Sequence, residues 1–538
     1  MNTPRNILMV AAENDALPGG KVGGIGDVVR DVPPALAELG CTVNVIIPAY
    51  GRLASVAGAQ HRAAVKVRSF GPFVRDVDLY EVTAKKPHPG VRHWVVDNPA
   101  FAACGKGRIY CDDPPGAPFA TDAGKFALFC AAVAEALVQG HLERPEVLHL
   151  HDWHAAWLLI LRAYHPAFHD LQSIRTVFSI HNLALQGVRP FDGHASSLAA
   201  WFPGLYHERQ RLADPRWPDT VNPMAVGIRM ADAVHTVSPT YAEEILLPSA
   251  VEARGYYGGE GLEDDLRIAQ IEGRLFGILN GCEYPDAGPP PAPDWCALVA
   301  MLRAQVLRWA GADFTPTHFI AHARLGEWVD RKPGVLLTSI SRITDQKMRL
   351  LRQTDERGHP ALEGVLEALG DRGVYLFLGS GAPDYEQFLT ATSGKYDNFV
   401  FLRGYSDPVS QALYAAGDLF LMPSSFEPCG ISQMLAMRAG QPCLVHHVGG
   451  LKDTVQDGVS GFAFTGGNLM EQASKLVEST RRALDLHEHQ PERWKRIGEA
   501  AAAARFFWHD SVQQYIDQLY QPAPTVEDRE GRRQVAQG

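Results

Sequence analysis

Two segments in the second half of the chain carry residues of the right type and placement to hold a diphosphate and a sugar. In Ser341-Arg342-Ile343-Thr344-Asp345-Gln346-Lys347, directly after a β-rich run, a bidentate guanidinium and a nearby ammonium can neutralise a diphosphate. A solvated basic turn is the plainer alternative. In Pro423-Ser424-Ser425-Phe426-Glu427-Pro428-Cys429-Gly430-Ile431-Ser432-Gln433 a strand ends in a carboxylate, a Pro-Cys-Gly turn and a helix start. Free amides at that start suit phosphate or sugar hydroxyls, with Glu427 beside them; the alternative is a glutamate that only caps the helix.

The first half offers a glycine turn, Lys21-Val22-Gly23-Gly24-Ile25-Gly26-Asp27, between a strand and a helix reaching Leu39. Glycines permit close backbone approach and the helix start favours anions. Dinucleotide binding is disfavoured, because a G-x-G-x-x-G reading from Gly24 finds Val29 in the sixth position and the strand Thr42 to Pro48 ends without a ribose-binding acid. A turn whose glycines only relieve backbone strain remains the alternative. His149-Leu150-His151-Asp152-Trp153-His154 ends another strand, and His181-Asn182 a third. Strand alternation puts His149 and His151 on one face, but no third ligand is evident, so a polar wall or satisfied core histidines are expected rather than a metal.

The elements that must position these residues are short β-branched runs alternating with helical stretches. They are Ile7 to Ala12, Thr42 to Pro48, Val147 to His151, Thr176 to His181 and Ala233 to Val237, then Val335 to Ser341, Val374 to Gly379, Phe399 to Gly404, Asp418 to Pro423 and Pro442 to His446. Each reads as a buried parallel strand, and together they predict two α/β sheets. Cys282 to Trp295, with its Pro-Pro-Pro run, reads as a surface excursion near a hinge. The polar end, Gln521 to Gly538, reads as poorly ordered.

Composition narrows the partners. The 538 residues carry 50 Lys+Arg and 61 Asp+Glu, a formal charge of -11, which disfavours nucleic acid. The apolar runs, such as Ala127 to Leu137, are too short to span a membrane. The cysteines Cys41, Cys104, Cys111, Cys130, Cys282, Cys296, Cys429 and Cys443 are scattered without a C-x-x-C pair, so reduced thiols and no disulfide are expected. MNTPRN followed by ILMVAAE lacks a signal-peptide core, which predicts a cytoplasmic protein.

The motifs taken together resemble a known family. Lys21 to Asp27, His149 to Ala156, Phe178 to Leu183, Thr236 to Ala242, Gly277 to Gly281, Ser341 to Lys347 and Pro423 to Gln433 stand in the order found in bacterial glycogen synthases and plant starch synthases. The resemblance, from residue 7 to about 520, implies an α/β protein of GT-B architecture: two Rossmann-like domains facing across a cleft, with a carboxy-terminal helix, Trp508 to Tyr520, crossing back to the first. The expected division is 1–275, 276–500, a returning helix in 501–520 and a tail in 521–538.

It further implies roles. Lys21 and Gly24 match positions near the donor phosphates, and Arg342 and Lys347 match the principal diphosphate contacts. Asp27, Asp152, His181, Asn280, Glu427 and Cys429 match positions around the transferred glucose, with Asn182 and Gly430 in the same two motifs. Tyr405 matches the aromatic beside the nucleotide base, with Ile431 and Ser432 nearby, and Tyr110 and Trp153 resemble aromatics lining the sugar cleft. The implied reaction moves glucose from ADP-glucose, with UDP-glucose as the alternative donor, to an α-1,4-glucan with retention, and without cofactor or metal. The rivals are another retaining GT-B enzyme with a small acceptor, which would not need the whole set from Lys21 to Asn182, and a silent glucan-binding protein, which would lack the phosphate cations.

The chain departs from the family pattern at Val448, where Thr is usual, at Cys282-Glu283 after Asn280-Gly281, and in Thr121 to Phe126. These departures bear on acceptor preference and rate more than on reaction type. Related retaining transferases often carry a second Glu eight residues after the first; here that position is Leu435.

Overall fold

The computed structural model describes residues 6–285, 288 and 291–521. The expected disorder of the tail therefore lies outside the described residues, apart from Gln521. All ten strands expected from β-branched runs are present, within two residues at either end. They divide between two sheets, because strands buried on both faces read as continuous apolar runs.

The first sheet has nine strands in the order Leu275–Gly277, Ala233–Thr236, Arg175–Ile180, Val147–His151, Asn6–Val10, Thr42–Pro48, Val91–Asp97, Arg75–Val82 and Gln60–Val67. The first seven run parallel and the last two are antiparallel additions. The second sheet has six parallel strands: Phe399–Arg403, Gly373–Gly379, Val335–Ile340, Leu419–Met422, Cys443–His446 and Gly461–Phe464. Apolar cores lie on both faces of each sheet. Strand Leu275–Gly277 carries the first sheet past residue 275, and the helix Pro491–Ala503 straddles residue 500.

Chain order reverses between Asn6–Val10 and Val147–His151 in the first sheet and between Val335–Ile340 and Leu419–Met422 in the second. Open parallel sheets form ligand crevices at the carboxyl ends of such reversal points. The residues singled out by chemistry follow these four strands, or the neighbouring strand Arg175–Ile180.

The carboxy-terminal segment returns to the first sheet as expected. The helix Trp508–Gln514 continues as a π-helical turn, Tyr515–Leu519. Trp508, Val512, Tyr515, Ile516, Leu519 and Tyr520 are buried in the core that also holds Ile7, Val29 and Val45. Ser511 Oγ donates to the carbonyl of Leu279 at 2.6 Å, which ties this helix to the segment entering the second sheet. No helix among the described residues is long and apolar enough to cross a membrane.

Candidate active site

On the second sheet, strand Val335–Ile340 delivers Arg342 and then the helix Asp345–Arg352, whose third residue is Lys347. Strand Leu419–Met422 delivers Glu427. The two loops are stitched together: Ser425 N–H donates to the Gln346 carbonyl at 2.8 Å, and Gln346 Nε2 donates to the Phe426 carbonyl at 2.9 Å. Lys347 Nζ forms an ion pair with Glu427 Oε2. Glu427 is only 6% exposed, so its charge is compensated inside the protein. Arg342 is exposed and makes no hydrogen bond or ion pair with any described residue.

The backbone around Glu427 is held by a glycine pair. Gly450 N–H donates to the Glu427 carbonyl at 3.0 Å. Gly449 has a φ of +45°, and a Cβ there would lie 1.9 Å from that carbonyl oxygen, so both conformation and space demand glycine. Val448, which lacks the usual hydroxyl, leaves this helix start without a side-chain cap of its own. Glu244, from the first half of the chain, supplies the acceptor instead, with Gly449 N–H donating to its Oε1 at 3.0 Å. Burial raises the Glu244 carboxyl to about 7, against the lowering effect of that amide.

Gln433 is fully buried and donates through Nε2 to the Cys429 and Gly430 carbonyls at 3.1 and 3.0 Å, fixing the turn before the helix Ser432–Arg438. Ile431 and Ser432 are half-buried at its start. Cys429 packs with Val237, Cys282 and Met434, and burial pushes its thiol well above the ordinary range. Asn280, also buried, contributes a backbone contact to that thiol, while its own Oδ1 is buried without a partner.

On the first sheet, Asp152 follows strand Val147–His151 with a φ of +54°. Its Oδ1 accepts the His181 N–H at 2.7 Å. Burial pushes the Asp152 carboxyl up to about 8, opposed by the amides of His181 and Asn182. Asn182 Oδ1 accepts the Ala184 N–H at 3.0 Å, turning the chain after the strand. The His181 ring shares a hydrogen bond with the His151 ring, Nε2 to Nδ1 at 2.9 Å. Beneath that pair, His149 contacts Tyr520 Oη at 2.9 Å and Ser179 Oγ at 2.6 Å, and Ser179 Oγ contacts His235 at 2.8 Å. Burial holds all four imidazoles below their ordinary range, so they are neutral rings at pH 7. His149 and His151 stack at 4.4 Å with their nitrogens largely engaged by these partners, whereas His154 packs against Trp153 and Phe126.

Lys21 Nζ pairs with Asp27 Oδ1 at 2.5 Å, and Asp27 also meets Arg30 at 3.1 Å. Gly24 is exposed, and a Cβ built on it would meet nothing within 4 Å, so the turn is open there. Tyr110 donates to Glu13 Oε1 at 2.7 Å. Trp153 departs from expectation: it is 2% exposed, with its rings against Phe119, Phe126 and Gly187, and it backs the wall as core instead of facing a sugar. Its indole follows Asp152 into a helix buried on nearly every side, which turns it inward.

The cysteine expectation is corrected beside Tyr110. Cys104 and Cys111 form a disulfide with Cα atoms 5.5 Å apart; the other six cysteines are free. Scattered spacing hid the pair because the turns at Gly105 and Gly107 fold the segment back on itself.

The two sheets meet beside Glu427. Ser238 Oγ donates to the Pro428 carbonyl at 2.6 Å, Thr240 Oγ1 to Asp453 Oδ1 at 2.6 Å, and Tyr257 packs on Phe426 at 4.1 Å between ring centroids. Tyr405 is 61% exposed and donates to Asp407 at 2.6 Å. Partial desolvation of the hydroxyl end, the Asp407 carboxylate and, more weakly, the charge of Asp27 on the helix Gly24–Glu38 raise that hydroxyl above its ordinary range. Among the residues missed from sequence are Glu13, Glu244 and the Ser179, His235 and Tyr520 members of the Tyr520–His149–Ser179–His235 chain. Of these only Glu13 left a signal, an acid just beyond a strand's carboxyl end.

A family model described as the starch synthase catalytic domain matches residues 6–268, and one described as glycosyl transferases group 1 matches 360–481. A glycogen synthase of Streptococcus equi subsp. zooepidemicus (strain H70) is 34% identical over 525 residues, covering 95% of this chain and 98% of the relative. One of Gloeobacter violaceus (strain ATCC 29082 / PCC 7421) is 33% identical over 519 residues, covering 95% and 97%. Among solved structures, the catalytic domain of starch synthase IV from Arabidopsis thaliana, bound to ADP and acarbose, superposes with a TM-score of 0.74 at 27% identity, covering 96% of this chain and 99% of that one. The two-sheet architecture is thus GT-B, and with relatives this similar along nearly its whole length the chain belongs to the glycosyltransferase family of bacterial glycogen synthases and plant starch synthases.

Proposed function

We propose that this chain transfers glucose from ADP-glucose to the non-reducing end of an α-1,4-glucan with retention of configuration. The observation that carries this reading is the Lys347–Glu427 pair at the strand-order reversal of the second sheet, with Arg342, which has no partner among the described residues, beside the same crevice. A site with an unneutralised guanidinium and a lysine held only by a carboxylate is poised for a diphosphate, whose oxygens take the lysine's remaining donors. The starch synthase IV structure, which holds ADP and acarbose, supports the choice of donor and acceptor class.

The transition state is oxocarbenium-like, with positive charge on the sugar and growing negative charge on the leaving diphosphate. Arg342 and Lys347 stabilise the diphosphate, Lys21 and Gly24 approach it from the first sheet, and Tyr405 with Ile431 and Ser432 borders the base. Glu427 holds sugar hydroxyls and the negative potential near the ring. His181, a neutral imidazole fixed by His151, orients the hexose together with Asp27, Asp152, Asn182, Asn280, Cys429 and Gly430. No nucleophile is assigned to Glu427, and Leu435 supplies no second carboxylate in that motif. The rival with a small acceptor would not need the whole amino-terminal set from Lys21 to Asn182. The silent binder would have no use for two phosphate cations.

With two protein cations neutralising the diphosphate, transfer is expected to continue in EDTA. The check is incorporation of labelled glucose into glycogen by chelated enzyme, with the new linkage identified by proton NMR. A new α-1,4 linkage is expected; activity lost in EDTA and restored by magnesium or manganese, or a β-linked product, would overturn this mechanism.

A further inference from the structure

Glu13 lies three residues beyond strand Asn6–Val10, at the strand-order reversal of the first sheet, and is 1% exposed. Its Oε2 accepts the amides of Val22 and Gly23, each at 2.6 Å, and its Oε1 accepts the Tyr110 hydroxyl at 2.7 Å. These donors come from segments about ten and ninety-seven residues away, two separate arms of the crevice. We propose that Glu13 is a positioning residue that ties the glycine turn Lys21 to Gly26 to the Tyr110 arm, so that the donor-phosphate loop and the acceptor-side wall hold one relative placement. This rests on the proposed roles of Lys21, Gly24 and Tyr110.

Three further observations give the tie its force. First, the backbone next to Glu13 is sewn to both ends of the turn: Asn14 N–H donates to the Gly20 carbonyl at 2.7 Å and Asp15 N–H to the Gly26 carbonyl at 3.0 Å. Second, a Cβ at Gly26 would lie 3.0 Å from Lys21 Cγ and 3.3 Å from Glu13 Oε2, so the lysine stem passes close against Gly26 beside the glutamate oxygen. Where Glu13 sets the turn, it therefore sets the root of Lys21. Third, the Tyr110 arm is anchored independently of Glu13, because Cys111 is bonded to Cys104 and its N–H donates to Asp122 Oδ2 at 3.1 Å. Glu13 thus connects the turn to a fixed arm. It also occupies the Val22 and Gly23 amides, so the turn presents to a ligand Gly24 and the unpaired amides of the helix Gly24–Glu38.

The variants separate positioning from mere burial. Glu13→Ala leaves two amides and a hydroxyl unpaired. Glu13→Gln keeps the tie, since its carbonyl accepts both amides and its amino group donates to the Tyr110 oxygen. Tyr110→Phe removes only the far end of the tie.

Two readouts on the full chain are expected to move together. By hydrogen exchange with mass spectrometry, Tyr110→Phe speeds exchange of the Val22 and Gly23 amides and Glu13→Ala speeds exchange across residues 105–112, while Glu13→Gln resembles wild type. In steady-state kinetics, Glu13→Ala raises the KM for both ADP-glucose and glycogen by about tenfold or more, Tyr110→Phe raises the KM for ADP-glucose at least about threefold, and Glu13→Gln stays within about threefold of wild type for both. If Glu13→Ala does not fold, Tyr110→Phe and Glu13→Gln decide alone. A Tyr110→Phe protein with unchanged exchange at Val22 and Gly23 overturns the tie, as does unchanged exchange across 105–112 in folded Glu13→Ala. An unchanged donor KM in Tyr110→Phe overturns its relevance to transfer. If wild type fails to bind ADP in calorimetry, the functional reading falls instead, and the exchange data still decide whether the two arms are tied.

Discussion

Glu427→Gln is expected to lower kcat with ADP-glucose and glycogen on the order of a hundredfold, the scale of losing one preorganised electrostatic group, while the donor KM changes only a few-fold. The substitution preserves size and leaves an oxygen to accept from Lys347, so the 6% exposed side chain stays packed and the Gly449–Gly450 backbone contacts are untouched. What it removes is negative charge near a ring that becomes positive only in the transition state, and that selective loss appears in kcat. Kinetics combined with a thermal melt check this. Near-normal kcat, or activity lost only in step with thermal stability, would make Glu427 a structural residue.

Removal of the cations should be costly too, but the two differ. Arg342→Ala should lower kcat/KM for ADP-glucose by at least about 2 kcal/mol, roughly thirtyfold, with an unchanged melting temperature, because Arg342 is exposed and has no partner among the described residues. Lys347→Ala should lower kcat/KM by at least as much and should also destabilise the fold. It leaves the buried Glu427 carboxylate without its countercharge, and breaking a buried pair from one side costs about 3–5 kcal/mol. Strand-end position alone predicts that both variants fold normally; the pairing changes that expectation for lysine only. Losses under tenfold in both variants, with stability intact, would remove the diphosphate assignment.

The contrast between these cations shows what was readable in the chain. Arg342, Lys347 and Glu427 stand out because each follows a continuous apolar, β-branched run that reads as a buried parallel strand. That Lys347 and Glu427 touch across a separation of 80 residues follows from strand order, which local pattern does not encode. The same holds for Tyr520 on His149, 371 residues apart. Gln60–Val67 and Arg75–Val82, the antiparallel additions at one end of the first sheet, carry charged, exposed alternate residues and so present no continuous apolar run. The motif around Trp153 gives its neighbours in the chain but not which way its ring turns, and the ring turns into the core. The Cys104–Cys111 pair depended on two turns that spacing does not reveal.

The most direct measurement is turnover with glycogen as acceptor and either ADP-glucose or UDP-glucose as donor, following nucleoside diphosphate release and glucose incorporation together. Equal amounts of released ADP and incorporated glucose, with ADP-glucose preferred, is the expected result. Nucleotide release without incorporation, transfer only to a small acceptor, or no turnover with either donor despite a folded protein would contradict the assignment of this crevice to glucan elongation.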